Sequence, residues 1–192
     1  MTTMTMSPRE NSDTAGHLVD LTEPGPLRLD VLAVNAADVV SSAGGWLFNR
    51  ARAGWTVTVF LTEHHDACAL QILGAHTSPL ASLPHVAPSG TTPHVLAAAS
   101  DVIGTDRRAR AGVANALRFT GERIVMWGDP LPTDPQCRVK NYQHRLTDAA
   151  MAFKAHASRA AGLEVHPVAR FEQFRCRIRT VGPCDADLTP IQ

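Results

Sequence analysis

The chain has 192 residues, of which 44% are hydrophobic and 19% are charged. This balance is typical of one globular domain with a sizeable core. The charges of its 18 basic and 18 acidic residues cancel. The sequence therefore has no excess positive charge that would favour binding to nucleic acid or to an anionic membrane. No stretch approaches the roughly 20 apolar residues that span a bilayer. Residues 1–24 lack the apolar core of a signal peptide. We therefore expect a cytoplasmic protein.

The cysteine pattern is irregular. The chain has four cysteines, with no C-x-x-C pair and no regular spacing from histidine: Cys68, Cys137, Cys176 and Cys184. This pattern favours scattered buried thiols over a structural zinc site or a disulfide framework. Among the basic residues only Lys140 and Lys154 are lysines.

The predicted elements of the first half begin with a buried strand in LRLDVLAVNA. SSAGGWLFNRARAG predicts a helix, with Ser41 or Ser42 as its cap and Gly54 just past its end. WTVTVFLTE alternates and predicts a second strand. HDACALQILG predicts a short helix closed by Gly74. AHTSPLASLPHVAPSG predicts a connection punctuated by proline.

The second half begins with PHVLAAASDVIGT, which predicts a helix running into a short strand near residues 101–103. DRRARAGVANALRFTG then predicts a helix, ERIVMWG a strand and LPTDPQ a loop. A long helix is predicted from about Lys140 to Ala161 and is stopped by Gly162. Its core face is expected to consist of Leu146, Ala150, Phe153 and Ala157. EVHPVARFEQFRCRI predicts a final strand and turn, and VGPCDADLTPIQ a loose tail.

This alternation of strands and helices predicts a single-domain α/β fold of Rossmann-like type, with a mostly parallel sheet sandwiched by helices. We expect a disordered N-terminal tail over residues 1–26, the α/β domain over 27–179 and a C-terminal tail over 180–192. Ligands bind beyond the carboxyl ends of such strands. Polar groups collect at four of these ends: Asn35 to Asp38, Glu63 to Asp66, Gly104 to Arg108, and Gly128 to Asp129.

Six segments occur in an order that resembles the LmbE-like (PIG-L) family of zinc-dependent N-deacetylases, over roughly residues 28–178. They are VLAVNAADVVSSAGG, RAGWTVTVFLTE, ILGAHTSPLASLP, GTDRRARAGVANAL, FKAHASR and FEQF. The first resembles the family's His-Pro-Asp-Asp-Glu turn and Gly-Gly helix, and the fourth its His-x-Asp-His helix start. The last two resemble its His-x-Ser-Gln helix and its closing Glu-x-Phe. The resemblance implies the fold, whereas the activity has to be argued from the residues of the site.

Alignment on this family implies that most of its zinc-binding groups are replaced. Asn35 takes the place of a zinc-binding histidine and Ala37 that of the aspartate that activates water, whereas Asp38 is kept as the second zinc ligand. In the later motif, one histidine becomes Gly104, Asp106 is kept and Arg107 replaces the third zinc ligand. Catalytic zinc needs about three protein ligands and an open position. The resemblance therefore predicts that this corner has no metal and no cofactor, and no base to activate water.

The same alignment places the Arg107 guanidinium near Asp38. Arg107 would either form a structural ion pair that fills the former metal site or bind a substrate carboxylate or phosphate. We assign Asn35, Asp106, Arg107 and Arg108 to substrate binding, and Asp38 to the catalytic group.

TEHHD, at the end of the second strand, is the richest titratable cluster in the sequence. Glu63 and His65 are candidate acid and base groups, and His64 and the loop residue His85 are candidate substrate contacts. The alternative is that the histidines are exposed and that Asp66 caps a helix.

Aromatic side chains could line a pocket for a ring-bearing ligand. Trp46 and Trp127 are assigned to substrate binding, and core packing is the alternative. We expect His144 and His166 at the surface. Two further polar side chains are expected to satisfy buried backbone groups: His156 and Ser158.

Three functions remain open. The first is a metal-independent enzyme of specialised metabolism that condenses or cyclises an amine with a carbonyl compound, in the manner of a Pictet–Spengler reaction. In it Glu63 shuttles protons while Asp38 and Arg107 orient a small amine, carbonyl or sugar-like substrate. The second is a non-catalytic binding protein or pseudoenzyme that self-associates as a homo-oligomer. The third is a residual amide hydrolase with metal on His64, His65 or His85.

Overall fold

The protein is described from a computed structural model. The structure describes residues 27–63, 67–83, 94–119, 123–129, 139–164, 166–177 and 187–191. Its strands are β1 (Arg28–Ala33), β2 (Thr56–Leu61), β3 (His76–Pro79), β4 (His94–Ala99), β5 (Arg123–Trp127), β6 (Lys140–Arg145), β7 (Phe171–Arg177) and β8 (Thr189–Pro190). Its helices are α1 (Ala36–Arg52), α2 (Cys68–Ile72), α3 (Ser100–Thr105), α4 (Arg107–Phe119) and α5 (Asp148–Ala160), with a 3₁₀ turn at Leu80–Ser82.

The described strands form one sheet in the order β3-β2-β1-β4-β5-β7-β6-β8. The first five strands in this order are parallel, whereas β7 is antiparallel to both β5 and β6, and β8 is antiparallel to β6. Helices α1, α2 and α5 contact one another, and α3 contacts α4. Right-handed crossovers place these two groups on opposite faces of the sheet. The predicted single-domain α/β fold with a mostly parallel sheet is confirmed.

Strand β1 forms the centre of the parallel part. Its run from Val31 to Ala33 is completely buried, as expected for a strand covered on both faces. Asp30 is the polar exception, and it is also buried. Its carboxylate accepts a hydrogen bond from Arg28 at 3.2 Å and lies 3.0 Å from His94 Nε2. Buried carboxylates need such partners. The contact between Asp30 and His94 connects the side chains of β1 and β4.

One lysine and one glutamate bind the backbone in the middle of α1. In a regular helix the amide of Gly45 donates to the carbonyl of Ser41. Here the Gly45 and Trp46 amides donate to the two carboxylate oxygens of Glu172, each at 2.8 Å. Lys154 Nζ donates to Ser41 O and to Glu172 Oε1, both at 2.6 Å. This buried network joins α1, α5 and β7, and the sequence prediction missed it.

The prediction for residues 94–105 had the right elements in the wrong order. Strand β4 comes first and α3 follows it, whereas the sequence suggested a helix and then a strand. Alanine-rich sequence favours a helix, but Ala97 to Ala99 lie in a central strand between β1 and β5. Burial there overrides the local propensity. The expected connection at residues 75–83 also contains the short strand β3.

The predicted long helix is also two elements. Residues 140–145 form β6, which pairs with β7, and α5 begins after Thr147, whose hydroxyl accepts the Ala150 amide at 3.1 Å. His144 was expected at the surface but is buried, with Nε2 2.8 Å from Asn49 Nδ2. The alternation imposed by β6 turns His144 toward α1, which explains this correction.

The predicted core face of α5 is correct except at one position. Leu146, Ala150 and Ala157 are buried, but Phe153 is 44% exposed and stacks on Phe48 with ring centroids 4.5 Å apart. Two other expectations about this region have opposite outcomes. Ser158 donates to the Lys154 carbonyl as predicted, whereas His156 is exposed. His166 is exposed, as expected.

The end of the chain is anchored where a loose tail was expected. Asp187 accepts hydrogen bonds from Arg50 at 2.5 Å and from the Trp46 indole at 3.0 Å. Leu188 is buried, and β8 pairs with β6. The prediction of a loose tail is therefore wrong for residues 187–191. The expected N-terminal tail at residues 1–26 lies outside the described residues.

Two remaining expectations concern thiols and the membrane. Cys176 is buried as predicted, whereas Cys68 is exposed; Cys137 and Cys184 lie outside the described residues. Within the described part of the chain, no helix is both long and apolar enough to cross a bilayer.

Candidate functional site

The candidate site lies where the order of the parallel strands reverses. From β1 the chain moves outward through β2 to β3, and then returns to the other side of β1 through β4 to β5. Such a reversal opens a crevice beyond the carboxyl ends of the two central strands. The segments at this crevice are residues 35–38 after β1, residue 100 after β4 and residues 127–129 after β5.

Asn35 starts the helix at this crevice. Its backbone is extended, and its Oδ1 accepts the amide of Asp38 at 2.9 Å. It is therefore the N-cap of α1, and the predicted caps Ser41 and Ser42 lie within the helix. The Ser42 hydroxyl instead donates to Asp38 Oδ1 at 3.2 Å. The helix starts earlier than predicted because the side-chain oxygen of Asn35 caps it soon after the end of β1.

The Asp38 carboxylate is half-buried and receives a second neutral donor. The Trp127 indole Nε1 donates to Asp38 Oδ2 at 2.9 Å. Trp127 is itself buried at the end of β5, so this bond joins α1 to the far side of the crevice. No ion pair connects Asp38 to another of the described residues.

Of the two alternatives for Arg107, the ion pair with Asp38 is not formed among the described residues, and the binding of a substrate anion stays a prediction. Arg107 and Arg108 are exposed at the start of α4, and the Trp127 indole binds the carboxylate instead. Asp106 caps α4, since its Oδ1 accepts the amides of Arg108 at 2.7 Å and Ala109 at 3.0 Å. The alignment gave the positions of these residues along the helix but not the direction of the arginine side chains.

The described residues at this corner do not fit a zinc ion. The oxygen of Asn35 is used by the Asp38 amide, and Asp38 Oδ2 is used by an indole N–H. Ala37 and Gly104 offer no side-chain ligand. Across the described residues, no group of three or more His, Cys, Asp or Glu side chains is placed to hold a metal, whereas catalytic zinc needs about three ligands. His64, His65 and His85 lie outside the described residues.

Glu63 lies at the neighbouring strand end. Its amide donates to the Val34 carbonyl at 2.9 Å, and the Thr62 hydroxyl donates to the same carbonyl at 3.0 Å. These bonds fix the backbone of Glu63 beside the residue that precedes Asn35. The side chain is exposed, so it is accessible to a substrate at the edge of the crevice.

Ser100 is a polar group in the crevice that the sequence did not suggest. It is 3% exposed, and its buried Oγ has no hydrogen-bond partner among the described residues. Gly128 packs against it with φ +83°, and a Cβ built there would lie 2.4 Å from Ser100 Oγ. The close approach and the positive φ both require glycine at position 128.

Trp46 does not line a ligand site. It is completely buried, and its ring centroid lies 5.1 Å from that of Phe174. Its indole donates to Asp187, so the alternative of core packing is correct. Tyr142 is half-buried on β6.

No protein-family model matches the chain, and no curated protein matches it either. Solved structures do match, and they are deacetylases whose α/β fold this chain shares. One match is a deacetylase in complex with teicoplanin, from the biosynthesis pathway of that compound. It is 12% identical, with a TM-score of 0.52, and the match covers 81% of this chain and 100% of that one. Another is Dbv21, the deacetylase of the pseudoaglycone of the antimicrobial A40926. It is 15% identical, with a TM-score of 0.50 and coverage of 81% and 99%. At these identities the likeness establishes the fold alone.

Proposed function

We propose that this protein binds a small amine at Asp38 and, without a metal, condenses or cyclises it with a carbonyl compound. The observation that carries the proposal is that the half-buried Asp38 carboxylate has two neutral donors, Trp127 and Ser42, and no cationic partner among the described residues. Neutral donors leave the negative charge of a half-buried carboxylate without a countercharge, whereas an ammonium group supplies one. An ammonium group is therefore the ligand that this carboxylate favours.

The two neighbours support a small-molecule substrate from specialised metabolism. One is crystallised with teicoplanin, and the other is named for an antimicrobial pseudoaglycone. We extend to this chain only the class of compound and not the zinc-dependent reaction, since Asp38 is the only zinc ligand of the family that the alignment retains at the described corner. The proposed location of the protein is the cytoplasm.

The proposed reaction needs proton transfer and orientation. The amine nitrogen attacks the carbonyl carbon, and loss of water gives an imine. In the cyclisation, an aromatic carbon of the substrate then bonds to the imine carbon and loses its proton to a base. Glu63 is the proposed proton shuttle, because its backbone is fixed beside Asn35 and its carboxylate is accessible. His65 remains a predicted partner in this step.

Asp38→Asn should abolish amine binding while leaving the fold intact. The asparagine oxygen still accepts the Trp127 indole but carries no charge. We expect 2-phenylethylamine to raise the melting temperature of the wild-type protein and not that of the variant. A ligand at about 100 times its Kd adds about 2.7 kcal/mol of stability, which thermal-shift measurements detect.

Two controls test this assignment. The uncharged analogue 2-phenylethanol should not stabilise the wild-type protein. Asp101→Asn removes an exposed carboxylate from the first turn of α3 and should leave amine binding unchanged. Equal stabilisation by the amine and the alcohol would exclude Asp38 as an amine site.

Glu63→Gln should remove turnover without removing binding. With dopamine and acetaldehyde as substrates, we expect the rate above the uncatalysed background to fall by about 10²–10⁴-fold, the usual contribution of a general acid or base. Product formation is followed by liquid chromatography with mass spectrometry. Glu164→Gln, at a side chain that is 88% exposed, is the matched control. An unchanged rate in Glu63→Gln would reject the proton shuttle.

A second candidate is a non-catalytic amine-binding protein. It is favoured because Asn35, Asp38 and Trp127 are engaged in bonds that hold the corner together. This candidate predicts the same amine binding, but no turnover above background in the wild-type protein. The two measurements above therefore separate the candidates.

A further inference from the structure

A cavity of about 340 Å³ lies beside Trp127, on the antiparallel side of the sheet. Its volume falls in the range of small-molecule sites, roughly 300–1,000 Å³. Its lining includes Trp127 at the end of β5, Gly128 after it, and residues of β6 and β7. Asp38 is not among the lining residues, so this cavity differs from the proposed amine site.

The apolar lining of the cavity consists of three buried residues and the exposed Ile191. Met126, Trp127 and Phe174 are each less than 7% exposed. The rings of Trp127 and Phe174 meet edge to face with centroids 6.5 Å apart. An aromatic wall with a thioether beside it favours a flat ring, through stacking and sulfur contacts.

The polar part of the cavity carries little net charge. Asn141 and Gln173 supply amides, each of which can both donate and accept. The two charged lining residues, Arg175 and Asp129, pair with each other at 2.6 Å. A ligand carboxylate would compete with Asp129 for Arg175, and a ligand ammonium would compete with Arg175 for Asp129.

We propose that this cavity binds a neutral, flat aromatic molecule that carries hydroxyl or amide groups. The ring packs on Trp127 and Phe174, and its polar substituents bond to Asn141 and Gln173. This inference goes beyond the proposed function and does not depend on it, since the cavity does not use the Asp38 charge. Trp127 contributes to both places, because it lines the cavity and its Nε1 donates to Asp38.

The test uses 4-hydroxybenzamide as the probe and the full-length, ¹⁵N-labelled protein. The chain has three tryptophans, so its spectrum has three indole N–H signals, and Trp127→Phe identifies that of Trp127. We expect a saturable shift of the Trp127 signal, with the signals of Trp46 and Trp55 unmoved. Benzoate, a charged probe of similar size, should bind more weakly.

Two matched variants locate the probe. Gln143 and Gln173 are cross-strand partners on β6 and β7, but only Gln173 lines the cavity. Gln173→Leu should weaken binding by about fivefold, the effect of losing one neutral hydrogen bond, while Gln143→Leu leaves it unchanged. Gln173→Trp should fill the cavity and abolish binding.

Several results would overturn this proposal: no saturable shift, equal losses in the two leucine variants, or tighter binding of benzoate. Asp38→Asn separates it from the proposed function. That variant should retain the affinity for 4-hydroxybenzamide although it loses amine binding. If it loses the affinity for both compounds, the ring compound sits at the carboxylate and the cavity proposal is wrong.

Discussion

Replacing Glu172 by leucine should destabilise the protein by about 3–5 kcal/mol, the usual cost of breaking a buried ion pair by removing one partner. Its carboxylate accepts the Gly45 and Trp46 amides and the Lys154 ammonium. The leucine variant leaves the ammonium and both amides buried without this acceptor. Urea unfolding followed by circular dichroism measures the loss.

The control for this variant is Glu164→Leu. That side chain is 88% exposed and pairs only with the exposed His166 among the described residues, so its loss should be within about 0.5 kcal/mol. Lys154→Met should resemble Glu172→Leu, since it leaves the glutamate charge buried. A loss below about 1 kcal/mol in both buried variants would show that the network contributes little to stability.

Gly45→Ala should be strongly destabilising even though alanine favours helices. A Cβ at this position would lie 2.3 Å from Leu146 Cδ2 and 2.5 Å from Leu146 Cγ. Leu146 is buried and cannot move away freely, so we expect overpacking to cost about 1–3 kcal/mol or more. Urea unfolding again measures this change.

Gly44→Ala is the matched control on the same turn. A Cβ at Gly44 would lie 3.2 Å from Leu73 Cδ1, its nearest neighbour. The gain in helix propensity from glycine to alanine, about 1 kcal/mol, opposes the cost of this crowding. We expect a change much smaller than that of Gly45→Ala. Leu146→Ala combined with Gly45→Ala should be less harmful than the sum of the single changes, because the two side chains clash. Additive losses would contradict the proposed contact.

The local part of the fold could be predicted because hydrophobic periodicity and glycine stops report short-range structure. β1, β2, β5 and the C-terminal ends of α1 and α5 follow from such patterns, and Gly54 and Gly162 have the positive φ expected past a helix end. Local helix propensity gave the wrong secondary structure where the position of a segment in the sheet determines its conformation. The alanine-rich β4 and the polar β6 are strands because of their neighbours in the sheet.

The candidate site was predicted in part. The sequence located Asn35 and Asp38 at the corner, and Trp127 at a strand end, but gave none of their bonds. Trp127 reaches Asp38 across 89 positions of the chain, and periodicity carries no information at that range. The Lys154–Glu172 pair was missed for the same reason. The rarity of lysine in this sequence could have singled out Lys154, which is one of only two lysines among the basic residues.

The short last strand has a consequence for how copies of this protein could meet. β8 occupies the outer side of β6, and the amide of Ile191 donates to the Asn141 carbonyl at 2.9 Å. Pro190 has no N–H to offer to a further strand. The edge strand on this side of the described sheet is thus only two residues long, and it is poorly suited to pair with a further strand. Two molecules that associate are therefore not expected to join their sheets at β8.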